Sequence, residues 1–178
     1  MRIVTPILAL LFSLFAFAPL TDGQRPNTSD AAYIARALSA APKAVAQDAA
    51  VVRIDNDGTI RTVRPGTNGF TCLSLGDDDL CNDVNAQEIL QAQFKRQAPP
   101  QKMGLTYMLT GDKGSSNTDP FADHKTPDNH WIVTGPHIMI YGPGVKTLPF
   151  TRAKDPDPNK PYIMWAGTPY EHAMIPVQ

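Results

Sequence analysis

Hydrophobic positions along this chain change rhythm twice. An unbroken apolar run opens it, two stretches of helical spacing follow, and alternation then dominates to the C-terminus. The first helical stretch covers 31–41, where Tyr33, Ile34, Ala37 and Leu38 share a face. Ser29 or Asp30 supplies a capping side chain ahead of it, and Pro42 marks its end. The second covers 85–97, with Ile89, Leu90 and Phe94 on one face. Asn85 is the capping type there, Glu88 follows three residues on, and Lys95 and Arg96 suit the last turn. Pro99-Pro100 stops it.

Between the helices, two β-rich runs flank Asp55-Asn56-Asp57-Gly58, the pattern of a hairpin over 50–64. A short strand is expected over 70–75. Twelve of the seventeen prolines lie from Pro99 onward, which argues against helices there. Four extended segments fill that half: 103–109, 131–141, 162–166 and 172–177. The pattern predicts an α+β fold, with two helices packed on a mainly antiparallel sheet of five or six strands. Two long connections, 111–130 and 142–161, flank the strand ending at Tyr141 and are expected to form one rim.

The opening run adds an address. Met1-Arg2-Ile3 carries one positive charge, and no charge interrupts the stretch to Ala18. That is the layout of a secretory signal. Pro19 disfavours a cut after Ala18, whereas Thr21-Asp22-Gly23 offers small residues before Gln24. The reading is a signal peptide over 1–23 and one globular domain over 24–178, periplasmic or secreted. No later stretch is apolar enough to span a bilayer as a helix, so no membrane role is expected after signal removal. Asn27-Thr28-Ser29 matches a glycosylation sequon, relevant only in a eukaryotic secretory path. The net charge of −1 lacks the basic field that phosphate backbones attract, so nucleic acid is not an expected partner.

That address also decides the cysteines. Cys72 and Cys81 are the only two, and in an exported chain they read as one disulfide. Their spacing is too wide for a Cys-x-x-Cys redox motif. The acidic run Asp77-Asp78-Asp79, with Asp83 beyond the ring, reads as a solvated loop tip, with a calcium site as the alternative. Asp55-Asn56-Asp57-Gly58 resembles the start of an EF-hand loop, but no glutamate stands at its twelfth position.

Three segments carry a family resemblance: 67–72 (TNGFTC), 135–140 (GPHIMI) and 161–177 (PYIMWAGTPYEHAMIPV). Together they resemble a family of small secreted bacterial proteins of uncharacterised function, over roughly 35–178. The resemblance implies an exported bacterial protein and supplies no activity.

Candidate chemistry concentrates in the last strands. Residues two apart in a strand share a face. His137, Met139 and Tyr141 therefore share one, and Ile138 and Ile140 the other. His172 and Met174 likewise stand opposite Ala173, Ile175 and Val177. Met164 shares a face with Tyr162. If these strands are neighbours, two imidazoles and two or three thioethers converge, and soft thioethers with imidazole suit Cu(I). The competing reading makes the methionines core filler and the histidines hydrogen-bonded structural groups. His124 and His130 could join His137 in a zinc site, but their spacings match no standard pattern.

Hydrolytic chemistry has thinner support: Ser115 or Ser116 beside a histidine, with no Gly-x-Ser-x-Gly elbow and no phosphate loop. Trp131, Tyr141, Tyr162, Trp165 and Tyr170 suit either a β-rich core or a ligand pocket. The residues favour an exported, non-catalytic domain that binds a small ligand or a protein partner. Copper binding through His137, Met139, His172 and Met174 is the alternative, and a hydrolase is third.

Overall fold

The computed structural model describes residues 29–55 and 57–177. The expected signal peptide and the sequon asparagine lie outside the described residues.

The first helix, α1 (Asp30–Leu38), starts where expected. Ser29 is its cap, its side chain accepting a hydrogen bond from the Ala32 N–H. A one-turn helix, α2 (Lys43–Ala46), follows directly after Pro42. The hairpin is β1 (Ala50–Ile54) and β2 (Ile60–Arg64), closed by the Gly58 N–H on the Asp55 carbonyl. β3 (Thr71–Leu75) then turns through Gly76, at φ +61°, into β4 (Asp78–Asn82). Cys72 and Cys81 stand directly opposite each other in this pair and are joined by a disulfide.

The third helix, α3 (Val84–Phe94), is capped by Asp83, whose carboxylate accepts from the Ala86 N–H at 2.7 Å. β5 (Gly104–Met108) lies beneath it. A Cβ on Gly104 would come within 2.6 Å of the Ala86 backbone nitrogen, so glycine is what lets the helix lie this close. Two-residue strands β6 (Ser115–Ser116) and β7 (Trp131–Ile132) pair in a separate ribbon. β8 (His137–Tyr141), a 3-10 turn (Pro143–Thr147), β9 (Tyr162–Met164) and β10 (His172–Pro176) complete the chain's described elements.

Eight strands form one sheet in the order β2-β1-β3-β4-β5-β8-β10-β9, antiparallel throughout except for β1 beside β3. The α+β class and the mainly antiparallel sheet stand. Among the described residues, the expected two helices and five or six strands are corrected to three helices and eight strands in the main sheet. Three of the local departures have a visible cause. The acidic run hid β4, because Asp79 is satisfied from a distance: Arg36 Nε donates to it at 2.8 Å and Ser74 also bonds it. The expected strand over 131–141 is split at Thr134-Gly135-Pro136, leaving β7 in a ribbon of its own. The second helix begins earlier than expected because Asp83, not Asn85, caps it.

The sheet is covered on both sides. On one face α1 packs Ala37 against Val51, Cys72 and Cys81. Further along the same face, Val145 of the 3-10 turn packs with Ile163 and Ala173, edged by Ile140 and Ile175. The opposite face holds Leu73, Leu80, Met108, Met139, Met164 and Met174, closed over by Trp165, Tyr170 and Leu90 of α3. Among the described residues no helix is long and apolar enough to cross a membrane.

Candidate functional site

The site grows from the pairing of β8, β10 and β9. In the β8–β10 ladder His172 stands opposite Tyr141, Met174 opposite Met139, and Pro176 opposite His137. β9 adds Met164 beside His172 and Tyr162 beside Met174. β5 adds Thr106 beside Met139 and Met108 beside His137. One face of four neighbouring strands thus carries three rows. A pair of methionines forms the middle row, with one histidine in the row on either side. The sequence predicted the shared face of His137 with Met139, of His172 with Met174, and of Met164 with Tyr162, and the ladder places all of them on one side of adjacent strands. Met108 was missed, because β5 and β8 pair across a separation that no local pattern reveals.

The layer is closed to solvent. His137 is 0 % exposed, His172 and Met174 1 %, and Met139 8 %. His137 Nδ1 lies 2.7 Å from the Gly135 carbonyl, and His172 Nδ1 lies 3.0 Å from the Tyr170 carbonyl. A carbonyl oxygen only accepts, so Nδ1 carries the proton in both rings and Nε2 is a bare lone pair. Both Nε2 atoms are buried and have no hydrogen-bond partner. An unpartnered buried acceptor costs about 1–3 kcal/mol, and two of them in one layer need a cause.

Both rings are neutral at pH 7. Burial pulls the His172 imidazole down to about 4, outweighing the Tyr170 carbonyl, and His137 lowers it further. Burial also lowers His137, opposed by the Gly135 carbonyl and by the charges of Asp112 and Asp78. Asp112 lies in the connection after β5 and accepts from the Thr134 and Gly114 N–H groups. Burial nevertheless holds its carboxyl above the ordinary range. Tyr162 closes this end through a 2.8 Å hydrogen bond with Thr134 Oγ1.

Aromatic rings fix the other end. His172 lies between Tyr141 and Trp165, each with its ring centroid 4.8 Å away. The Tyr141 hydroxyl donates to Met139 Sδ at 3.2 Å. Trp165 is itself anchored, its Nε1 donating to the Ser116 carbonyl at 2.7 Å.

The two long connections do form one rim. Asn117 Nδ2 donates to the Ala153 and Lys154 carbonyls, and His130 Nδ1 meets the Asp155 carboxylate at 2.9 Å. Other sequence candidates are placed apart. Ser116 Oγ donates to the Asn129 carbonyl and accepts from Thr118 and Asp119 N–H groups, so it faces backbone rather than a histidine. His124 pairs with exposed Asp123, His130 with Asp155, and His137 is buried in the sheet. The acidic run is dispersed as well: Asp78 accepts from the Lys113 N–H, Asp79 faces α1, and Asp83 caps α3. Among the described residues no three His, Cys, Asp or Glu side chains converge as a metal site. A metal in the buried layer would have to take thioethers beside the imidazoles.

No protein-family model, curated protein or solved structure matches this chain.

Proposed function

We propose that this chain is an exported soft-metal-binding protein that holds Cu(I) with His137, His172, Met139 and Met174. Soft thioethers and neutral imidazoles form a donor set suited to Cu(I). The observation that carries the reading is the pair of buried, unpartnered Nε2 atoms on histidines in the rows on either side of Met139 and Met174. Metal-bound histidines commonly donate their other ring N–H to a backbone carbonyl, which fixes tautomer and orientation. Both rings here do so, to the carbonyl two residues upstream. With Nδ1–H held by backbone, Nε2 is the nitrogen of each ring left to bind a metal. Because β8 and β10 are antiparallel, downstream of His137 is Met139 and downstream of His172 is Met174. Neutral rings at pH 7 release almost no protons on binding. The export address and the resemblance to small secreted bacterial proteins agree with a disulfide-bonded chain in an oxidising compartment.

The test is an anaerobic Cu(I) titration against a competing chelator, on the parent and on His137→Ala and His172→Ala. Tight one-to-one binding that either substitution weakens at least a hundredfold supports the site. X-ray absorption with both nitrogen and sulfur in the first shell would identify the donors. Absence of tight binding, or affinity indifferent to both substitutions, removes the proposal.

A further inference from the structure

Beside the buried layer lies an open cleft of about 370 Å³, and Tyr141 belongs to both. Its walls are stiff. Pro99, Pro100, Pro143 and Pro169 line it, and a proline ring fixes its own backbone torsion. Tyr141 and Tyr170 supply aromatic surface, and the Tyr170 hydroxyl is held by the Gln97 carbonyl at 2.8 Å. A surface built this way needs little ordering when a ligand arrives.

Two side chains of opposite charge reach the same cleft, Lys146 and Glu171. Among the described residues neither takes part in an ion pair, and the Lys146 ammonium has no hydrogen-bond acceptor. Glu171 Oε2 accepts from the Gly167 N–H at 3.0 Å, leaving its other oxygen open. Opposite unpaired charges on a small cleft complement a ligand that carries both charges itself. The volume stands at the small end of ligand sites, which suits one amino acid better than a peptide. Proline and tyrosine walls favour a flat side chain.

We propose that this cleft binds a free α-amino acid with an aromatic side chain. Its carboxylate meets Lys146, its ammonium meets Glu171, and its ring lies against Tyr141, Tyr170 and the prolines. This site shares no donor with the metal layer, so either can fail without the other.

The probe is L-phenylalanine, compared by NMR titration with phenylalaninamide, which lacks the carboxylate, and N-acetylphenylalanine, which lacks the ammonium. The parent should show saturable shifts at the cleft residues and prefer the zwitterion. Lys146→Ala should weaken phenylalanine at least tenfold and erase its advantage over the amide. Glu171→Gln should do the same against the acetyl compound, while keeping an acceptor for the Gly167 N–H. Unchanged thermal melting establishes that both variants are folded. No saturable shift, equal affinity for all three compounds, or affinity unchanged in both variants overturns the proposal.

Discussion

The two faces of β8, β9 and β10 are built from the same thirteen positions of chain, yet one is aliphatic and the other is not. Ile140, Ile163, Ala173 and Ile175 meet Val145 in a layer without a polar side chain among them. On the reverse side His137, Met139, Met164, His172 and Met174 form a layer in which the Nε2 atom of each imidazole has no partner. A face that exists for stability satisfies its polar groups or omits them. The contrast teaches that the imidazole face belongs to the larger apolar cluster and yet carries two unpartnered nitrogens, whereas the aliphatic face leaves nothing unsatisfied.

Four expected outcomes bear on that contrast. Ile163→Ala, on the aliphatic face, should destabilise by about 2–5 kcal/mol, because it empties a site only 1 % exposed. Denaturant melts measure this, and the affinity for Cu(I) should stay unchanged. A shift in affinity would show that the faces are not separable.

Acid should act on the other face. His172 titrates at about 4 in the folded chain against about 6.5 when unfolded, so between those values the unfolded state binds more protons. Its contribution is whole above about pH 6.5 and is lost as pH falls toward 4, a loss on the order of 3 kcal/mol. Denaturant midpoints across that window check it. His172→Leu should flatten the same pH dependence.

At pH 7 His172→Leu should remain within about 1.5 kcal/mol of the parent, since it removes an unpartnered acceptor while keeping the volume close. A larger loss would mean that the Tyr170 carbonyl contact makes this histidine structural, and the contrast between the faces would weaken. The smallest effect belongs to Met139→Leu. Stability should change by less than about 1.5 kcal/mol, whereas Cu(I) affinity should drop at least tenfold, read from the same competition titration.

Much of the imidazole face was legible, because strand alternation needs only local sequence. His137-Ile138-Met139-Ile140-Tyr141 and His172-Ala173-Met174-Ile175 announce two unlike faces without any knowledge of neighbours. What local sequence could not show is partnership across the chain. β4 was hidden because the charge of Asp79 is met by Arg36, 43 residues earlier. Met108 and Asp112 come to His137 only through the pairing of β5 with β8. Lys146 and Glu171 reach one cleft from separate connections and look like ordinary surface charges until that cleft is formed. The unpartnered ring nitrogens are also invisible in sequence, because a missing hydrogen bond is a property of packing.

Asn117 gives the rim a further significance. Its N–H donates to the His130 carbonyl, its carbonyl accepts from the Trp165 N–H, and its side chain holds Ala153 and Lys154. Three separate stretches of chain therefore close on one residue, and the same Trp165 ring packs against His172. The two connections are thus tied to each other, and to Trp165, through a single residue. Indole fluorescence from Trp165 would then register events at the buried imidazole and loosening of the rim through a single signal.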